Sequence, residues 1–280
     1  MGTILVAIDS PPAALRVLPY AMAIARATHS QLLLYWAIPD EGLRQYAEGR
    51  LAHLRQIVWT AGVSVATEVE CRAHAGPAIL EAAARAGADM LALATKSKSG
   101  VDRWLNGSIA DELVRHADAP VLVVPHAASQ SWSDDQALRV LVPLDGSAGA
   151  AEALPLAGTL ADALEAEVWL LGVAADSTPD RLGVLERYLE DAASTLPLNG
   201  GRLGRLAVVG DASSQIAEVA GSHGANLIVM ATRGRGGLAR LHLGSVATAT
   251  VQRASMPVVL VRPRGTALPV HGRASTAKAG

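Results

Sequence analysis

Ile4-Leu5-Val6-Ala7-Ile8-Asp9-Ser10 is written a second time in this chain as Val140-Leu141-Val142-Pro143-Leu144-Asp145-Gly146. Each copy is a short apolar run closing on an aspartate, the pattern of a buried strand that emerges at a polar sheet edge. Two more segments repeat. Asn106-Gly107-Ser108-Ile109-Ala110 returns as Leu243-Gly244-Ser245-Val246-Ala247, and Ala119-Pro120-Val121-Leu122-Val123-Val124-Pro125 returns as Met256-Pro257-Val258-Val259-Leu260-Val261-Arg262. The displacement is 136 residues for the first pair (140 − 4) and 137 for the others (243 − 106, 256 − 119). Solenoid repeats are far shorter, so the chain is a duplicated globular unit. The boundary falls in the Ser-, Asp- and Gln-rich stretch His126 to Ala137, giving expected domains over 1–126 and 138–263. The remainder, 264–280, with Gly265, Pro269 and Gly272, is expected to be a flexible tail.

Within each copy, Val-, Ile- and Leu-rich runs alternate with segments of helical period. Strands are predicted over 3–8, 31–37, 63–73, 90–95 and 121–124, and helices over 13–27, 41–61, 78–86 and 108–117. The second copy predicts strands over 139–144, 167–174, 205–209, 227–231 and 258–261, with a helix over 148–164. Strict alternation with nearly continuous apolar strands predicts an α/β fold. Each copy is a doubly wound, five-stranded parallel sheet covered by helices on both faces.

Composition sets the outer limits. Of 280 residues, 50% are hydrophobic and 18% charged, enough to bury a core and too apolar for a disordered chain. Lys and Arg number 24 against 26 Asp and Glu, a net charge of −2, which argues against a nucleic-acid partner. No apolar stretch approaches the roughly 20 residues of a spanning helix, so no membrane partner is expected. The start shows no basic leader, and one cysteine, Cys71, excludes an internal disulfide, so a cytoplasmic location is expected. Cys71 itself reads as a small buried apolar residue. The eight histidines show no metal-ligand spacing, and only His242 falls in a loop of interest.

Ligands of open parallel sheets bind beyond the carboxyl ends of the strands, where strand order reverses. In the second copy that edge carries Asp145 and the loop from Ala231 to Ser245, with Gly234, Gly236 and Gly237, the basic Arg233, Arg235 and Arg240, and Gly244-Ser245 opening the last helix. Close backbone approach, a positive helix end and a cap hydroxyl make a phosphate cradle. Each arginine serves equally well as phosphate contact or solvated loop residue. A carboxylate beside phosphates repels them, so Asp145 suits a nucleoside end; it fits a turn or helix-cap role as well. Neither G-x-x-x-x-G-K-[ST] nor a glycine fingerprint after the first strand is present, which argues against a Walker-type NTPase and a dinucleotide dehydrogenase.

Both copies resemble universal stress protein (UspA) domains, and the whole chain is similar to a tandem member of that family. The resemblance implies a flavodoxin-like, adenine nucleotide alpha hydrolase-like fold. ATP-binding members carry G-x2-G-x9-G-[S/T] after the fourth strand. The second copy reads Ala231-x2-Gly234-x9-Gly244-Ser245, with the first glycine replaced; the first reads Ala94-x2-Ser97-x9-Gly107-Ser108, without either early glycine. The resemblance further implies nucleotide contacts at Pro143, Asp145, Val173, Met230 and Val246. In the first copy the matching positions are Ala7, Asp9, Trp36, Leu93 and Ile109, with Trp36 crowding the adenine side and Trp104 either plugging the pocket or covering a helix. The expectation is a stress-response regulator that binds ATP, with or without Mg2+, in its second domain, and Asp9, Ser97, Gly107 and Ser108 as a weaker site. No paired base and metal carboxylates support catalysis, so no enzymatic activity is expected beyond a slow ATPase. The alternative is a nucleotide-free interaction scaffold. The family's habit of pairing through the last strand implies docking of 121–124 on 258–261 within the chain, and a homodimer of that unit stays open.

Overall fold

The computed structural model describes residues 2–95, 109–128, 132, 136–233 and 244–263. The first half runs β1 (Thr3–Ala7), α1 (Pro11–Ala27), β2 (Gln31–Ile38), a 3-10 turn (Glu41–Leu43), α2 (Arg44–Thr60), β3 (Val65–Cys71), α3 (Ala75–Arg85), β4 (Met90–Ala94), α4 (Ile109–His116) and β5 (Val121–Val124). The second runs β6 (Arg139–Leu144), α5 (Ala148–Ala151), α6 (Leu154–Ala163), β7 (Glu167–Ala174), α7 (Pro179–Thr195), β8 (Leu203–Val209), α8 (Ala212–Ser222), β9 (Leu227–Ala231), α9 (Ser245–Arg253) and β10 (Val258–Val261).

The strands form one ten-stranded sheet in the order β3-β2-β1-β4-β5-β10-β9-β6-β7-β8. Pairing within each half is parallel. At the centre β5 and β10 pair antiparallel, Val123 opposite Val258 and Val121 opposite Leu260. That junction inverts the second half, so the carboxyl ends of its strands lie at the opposite sheet edge from those of the first.

Apolar side chains leave both faces. On one, Ile4, Val6, Leu32 and Leu34 meet Val17 and Ile24 of α1 and Leu51 and Leu54 of α2, and the cluster continues into Val140, Val142 and Leu160. On the other, Leu5, Leu91 and Leu93 pack with Ile79 and Leu113, and Leu141, Ile228 and Met230 pack with Ile216 and Val251. Each fully buried side chain of this size contributes about 1.5–3 kcal/mol relative to exposure. Trp132, between the halves, sets its ring edge-on to Tyr20 of α1 at 5.2 Å. Its indole N–H donates to the Asn226 carbonyl at 3.3 Å, so a residue of the expected polar connector is anchored to both halves.

Several sequence readings are corrected. The helix expected over 148–164 is broken at Glu152 and Ala153 into α5 and α6, because Pro155 offers no N–H and restricts the residue before it. The helix over 41–61 begins with a 3-10 turn capped by Asp40, whose Oδ1 accepts from Gly42 N at 2.6 Å. The strand over 63–73 contracts to Val65–Cys71, and Cys71 is exposed, at the end of an edge strand. The tail 264–280 lies outside the described residues.

Candidate functional site

In the second half, strand order reverses between β6 and β9, with β7 and β8 beyond one and β10 beyond the other. β6 and β9 pair through Val140 and Leu141 alone. The ladder between them ends there, and Pro143, which has no N–H to offer a ladder, is registered with Leu171 of β7. Strand-order reversal makes these carboxyl ends the expected place for a ligand crevice.

One wall comes from the segment after β6. Asp145 Oδ1 accepts from Ser147 N at 3.0 Å and from Ser147 Oγ at 2.6 Å. Gly146 between them has φ +83°, a left-handed turn residue. Ser147 Oγ then accepts from Ala150 N at 3.1 Å and caps α5. The cap is thus Ser147, and Asp145 holds the capping residue in place. An Asp-Gly-Ser run ahead of an Ala-rich helix was the signal for this.

The other wall is built on Thr232, which the sequence reading missed. Its N–H donates to Val261 O and its carbonyl accepts from Gly244 N, both at 2.8 Å. Thr232 and Gly244 are therefore held side by side at the sheet edge. A methyl group at Gly244 would stand 2.9 Å from the Thr232 carbonyl oxygen, so only glycine permits this approach. Gly244 is also the N-cap of α9 and supplies no side-chain acceptor. The first intrahelical bond runs from Thr248 N to Gly244 O at 3.0 Å, leaving the earlier amides without an intrahelical acceptor. Neighbouring α8 is closed differently: Asp211 Oδ1 accepts from Ser213 Oγ at 2.7 Å, Ser214 N at 2.9 Å and Ser214 Oγ at 2.8 Å. Those bonds, the Ser213 hydroxyl first, pull its carboxyl down to a pKa of about 2.

Pro143, Val173 and Met230 share one sheet face. Val173 and Met230 pack with the cluster under α8 and α9, and Pro143 follows Leu141 of that cluster by two residues. Ala231 is buried at the end of β9. Ser245 and Val246 are exposed at the α9 tip, and Val246 is 37% exposed, large and apolar. Arg233 is half-buried, its carbonyl 3.5 Å from where a Gly149 methyl group would sit, which brings the start of α5 against the end of β9. Gly234, Gly236, Gly237, Arg235, Arg240 and His242, and in the first half Ser97, Trp104, Gly107 and Ser108, lie outside the described residues.

The first half differs at the corresponding edge. Thr95, the counterpart of Thr232, gives its carbonyl to an Arg16 guanidinium nitrogen from α1. A second Arg16 nitrogen lies 2.9 Å from His126 Nδ1, and Thr95 Oγ1 accepts from His126 N at 3.0 Å. Asp9 accepts from Ser10 Oγ at 2.9 Å. Trp36 does not crowd this edge. Strand registers align Thr3 with Arg139 and Gln31 with Glu167, a displacement of 136 (139 − 3, 167 − 31), so the counterpart of Val173 is Ala37 and that of Trp36 is Gly172. A one-residue slip reverses the face; Trp36, 8% exposed, packs on the α2 side against Tyr46 at 6.2 Å.

The sequence model of the universal stress protein family matches residues 1–125 and again residues 137–262. The chain belongs to the universal stress protein family. A universal stress protein of Mycobacterium tuberculosis is 28% identical over 193 residues, which covers 62% of this chain and 62% of that protein, so the match spans less than two thirds of the relative. The crystal structure of a universal stress protein from Archaeoglobus fulgidus DSM 4304 covers 93% of this chain and 96% of its own, with a TM-score of 0.75 at 20% identity, a likeness of fold. A universal stress protein solved in complex with cAMP covers 45% of this chain and 97% of its own, with a TM-score of 0.39 at 25% identity. No helix among the described residues of this universal stress protein is long and apolar enough to cross a membrane.

Proposed function

We propose that this universal stress protein is an ATP-binding regulator whose second domain, 138–263, takes the nucleotide at the β6/β9 crevice without efficient catalysis. The observation that carries the reading is the α9 tip. Its first amides have no side-chain cap, and the glycine preceding them is required by a 2.9 Å approach to Thr232. N–H groups without an intrahelical acceptor and the positive helix end favour an anion such as a polyphosphate. Pro143, Val173 and Met230 offer an apolar floor for a flat base, with Ala231 at the end of β9 beside it. Asp145 offers carboxylate oxygens to a nucleoside hydroxyl or amino group. Gly234, Gly244, Ser245 and Val246 complete the assignment on the phosphate side, with Mg2+ as a companion of ATP. Nucleotide binding that favours one conformation of the protein would shift affinity for a downstream partner.

Calorimetric titration with ATP and Mg2+ is expected to give about one site per chain; absence of both heat and thermal shift overturns the reading. A turnover assay is expected to show ATP consumption no faster than slow background.

For the first domain a different observation favours a nucleotide-free scaffold. The carbonyl that receives a glycine N–H in the second domain receives Arg16 in the first. We therefore assign domain 1–126 an interaction role, joined to its sibling through the β5/β10 pairing.

A further inference from the structure

The ten-stranded sheet ends in two strands with one ladder partner each, β3 beside β2 and β8 beside β7. They have equal length, seven residues, and unequal chemistry. We propose that the β8 edge is the surface through which two copies of this chain associate, strand against antiparallel strand about a two-fold axis at Leu206.

The argument starts from register. Antiparallel pairing of β8 with itself, centred on Leu206, sets Leu203 opposite Val209, Gly204 opposite Val208 and Arg205 opposite Ala207. Leu203 and Val209 are 38% and 39% exposed, and at this register each covers the other, twice per dimer. All four odd-numbered side chains lie on the α7 side: Arg205 reaches Glu190 of α7 at 3.4 Å, and Ala207 packs with the cluster that holds Leu189 and Ala192. Between α7 and β8 runs a groove of about 420 Å³ lined by Gly183, Glu186, Arg187, Glu190, Arg205 and Ala207. Two such grooves would face each other across the axis. Arg205 and Glu190 from each copy then alternate in sign around it, a complementary arrangement that a single copy leaves open to water.

The opposite edge argues the same way by contrast. β3 paired with itself about its own centre sets Glu68 directly opposite Glu68, which is unfavourable. Glu68 is bonded to Arg85 at 2.7 Å, and Glu70 to Arg85 and Arg72. Charged side chains are a usual guard on an exposed edge. β8 has one charged residue where β3 has two glutamates. The chain already joins apolar edges this way over three residue pairs at β5/β10, and β8 extends roughly 23 Å.

The test is sedimentation velocity of the full chain under reducing conditions, from micromolar to sub-millimolar concentration, with circular dichroism to verify folding. Wild type is expected to show a monomer–dimer equilibrium. Leu203→Lys, on an exposed residue, is expected to weaken it about tenfold or more. Adding Val209→Glu to Leu203→Lys sets Lys opposite Glu in the dimer and is expected to restore association. Val65→Lys, on the β3 edge, is expected to leave it unchanged. A wild type that stays monomeric, a dimer indifferent to Leu203→Lys, a double variant without recovery, or a dimer lost in Val65→Lys each overturns the proposal. None of these readouts involves nucleotide, so failure here is distinct from failure of ATP binding.

Discussion

At Gly244 one absent methyl group lets the α9 tip sit against the Thr232 carbonyl. Gly244→Ala forces that contact apart and is expected to weaken ATP binding about tenfold or more while lowering stability by about 1–2 kcal/mol, read by calorimetry and by denaturant unfolding. Asp211 carries a pH signature. Its carboxyl, held at about 2 by the Ser213 hydroxyl and the Ser214 amide and hydroxyl, has an ordinary value of 3.8. A depressed folded-state value adds stability that is complete above the ordinary value and is lost as pH falls through the lower one. Asp211→Asn is therefore expected to melt below wild type near neutral pH, with the gap closing between about pH 4 and pH 2 in melting curves. Asp145 and Gly244 were legible because their chemistry is written in residue type and spacing. Thr232 acts through its backbone, which any residue supplies, so nothing in the sequence marked it.

At the scale of elements, most strand limits could be read directly. Arg139–Leu144, Glu167–Ala174, Leu227–Ala231, Val121–Val124 and Val258–Val261 have the limits expected from the sequence. Edge strands were read less well, because partial exposure weakens the apolar pattern: β8 begins two residues before the expected 205. Trp36 was assigned to the wrong face because the two repeat displacements, 136 and 137, differ by one, and a strand alternates faces every residue. Since Trp36 supports α2 and leaves the sheet edge alone, Trp36→Ala is expected to cost about 3 kcal/mol in denaturant unfolding. It is expected to leave ATP stoichiometry at about one per chain; a second site in that variant would return Trp36 to the role of plug.

At the scale of the whole molecule, one apolar cluster runs from Ile4 through Val124 and Val140 to Val259 without a break between the halves, and Trp132 touches both. Scanning calorimetry is accordingly expected to show one cooperative transition with calorimetric and van't Hoff enthalpies in agreement; two resolved transitions would mean that the halves unfold separately. Trp132→Ala removes an edge-on ring contact and an indole hydrogen bond and is expected to lower stability by about 2 kcal/mol in the same experiment. The sequence by itself determined the duplication and the alternation of strand and helix, because periodicity and residue type are local properties, and its glycine placement and residue charge supplied the proposal of a carboxyl-end site in the second half. Only the tertiary structure decided that the expected pairing of the last strands is an antiparallel seam within one sheet, that the site edges of the halves face opposite ways, and that Arg16 reaches Thr95. Those outcomes depend on which surfaces meet after the chain has folded back on itself, and contacts between residues tens of positions apart leave no trace in local pattern.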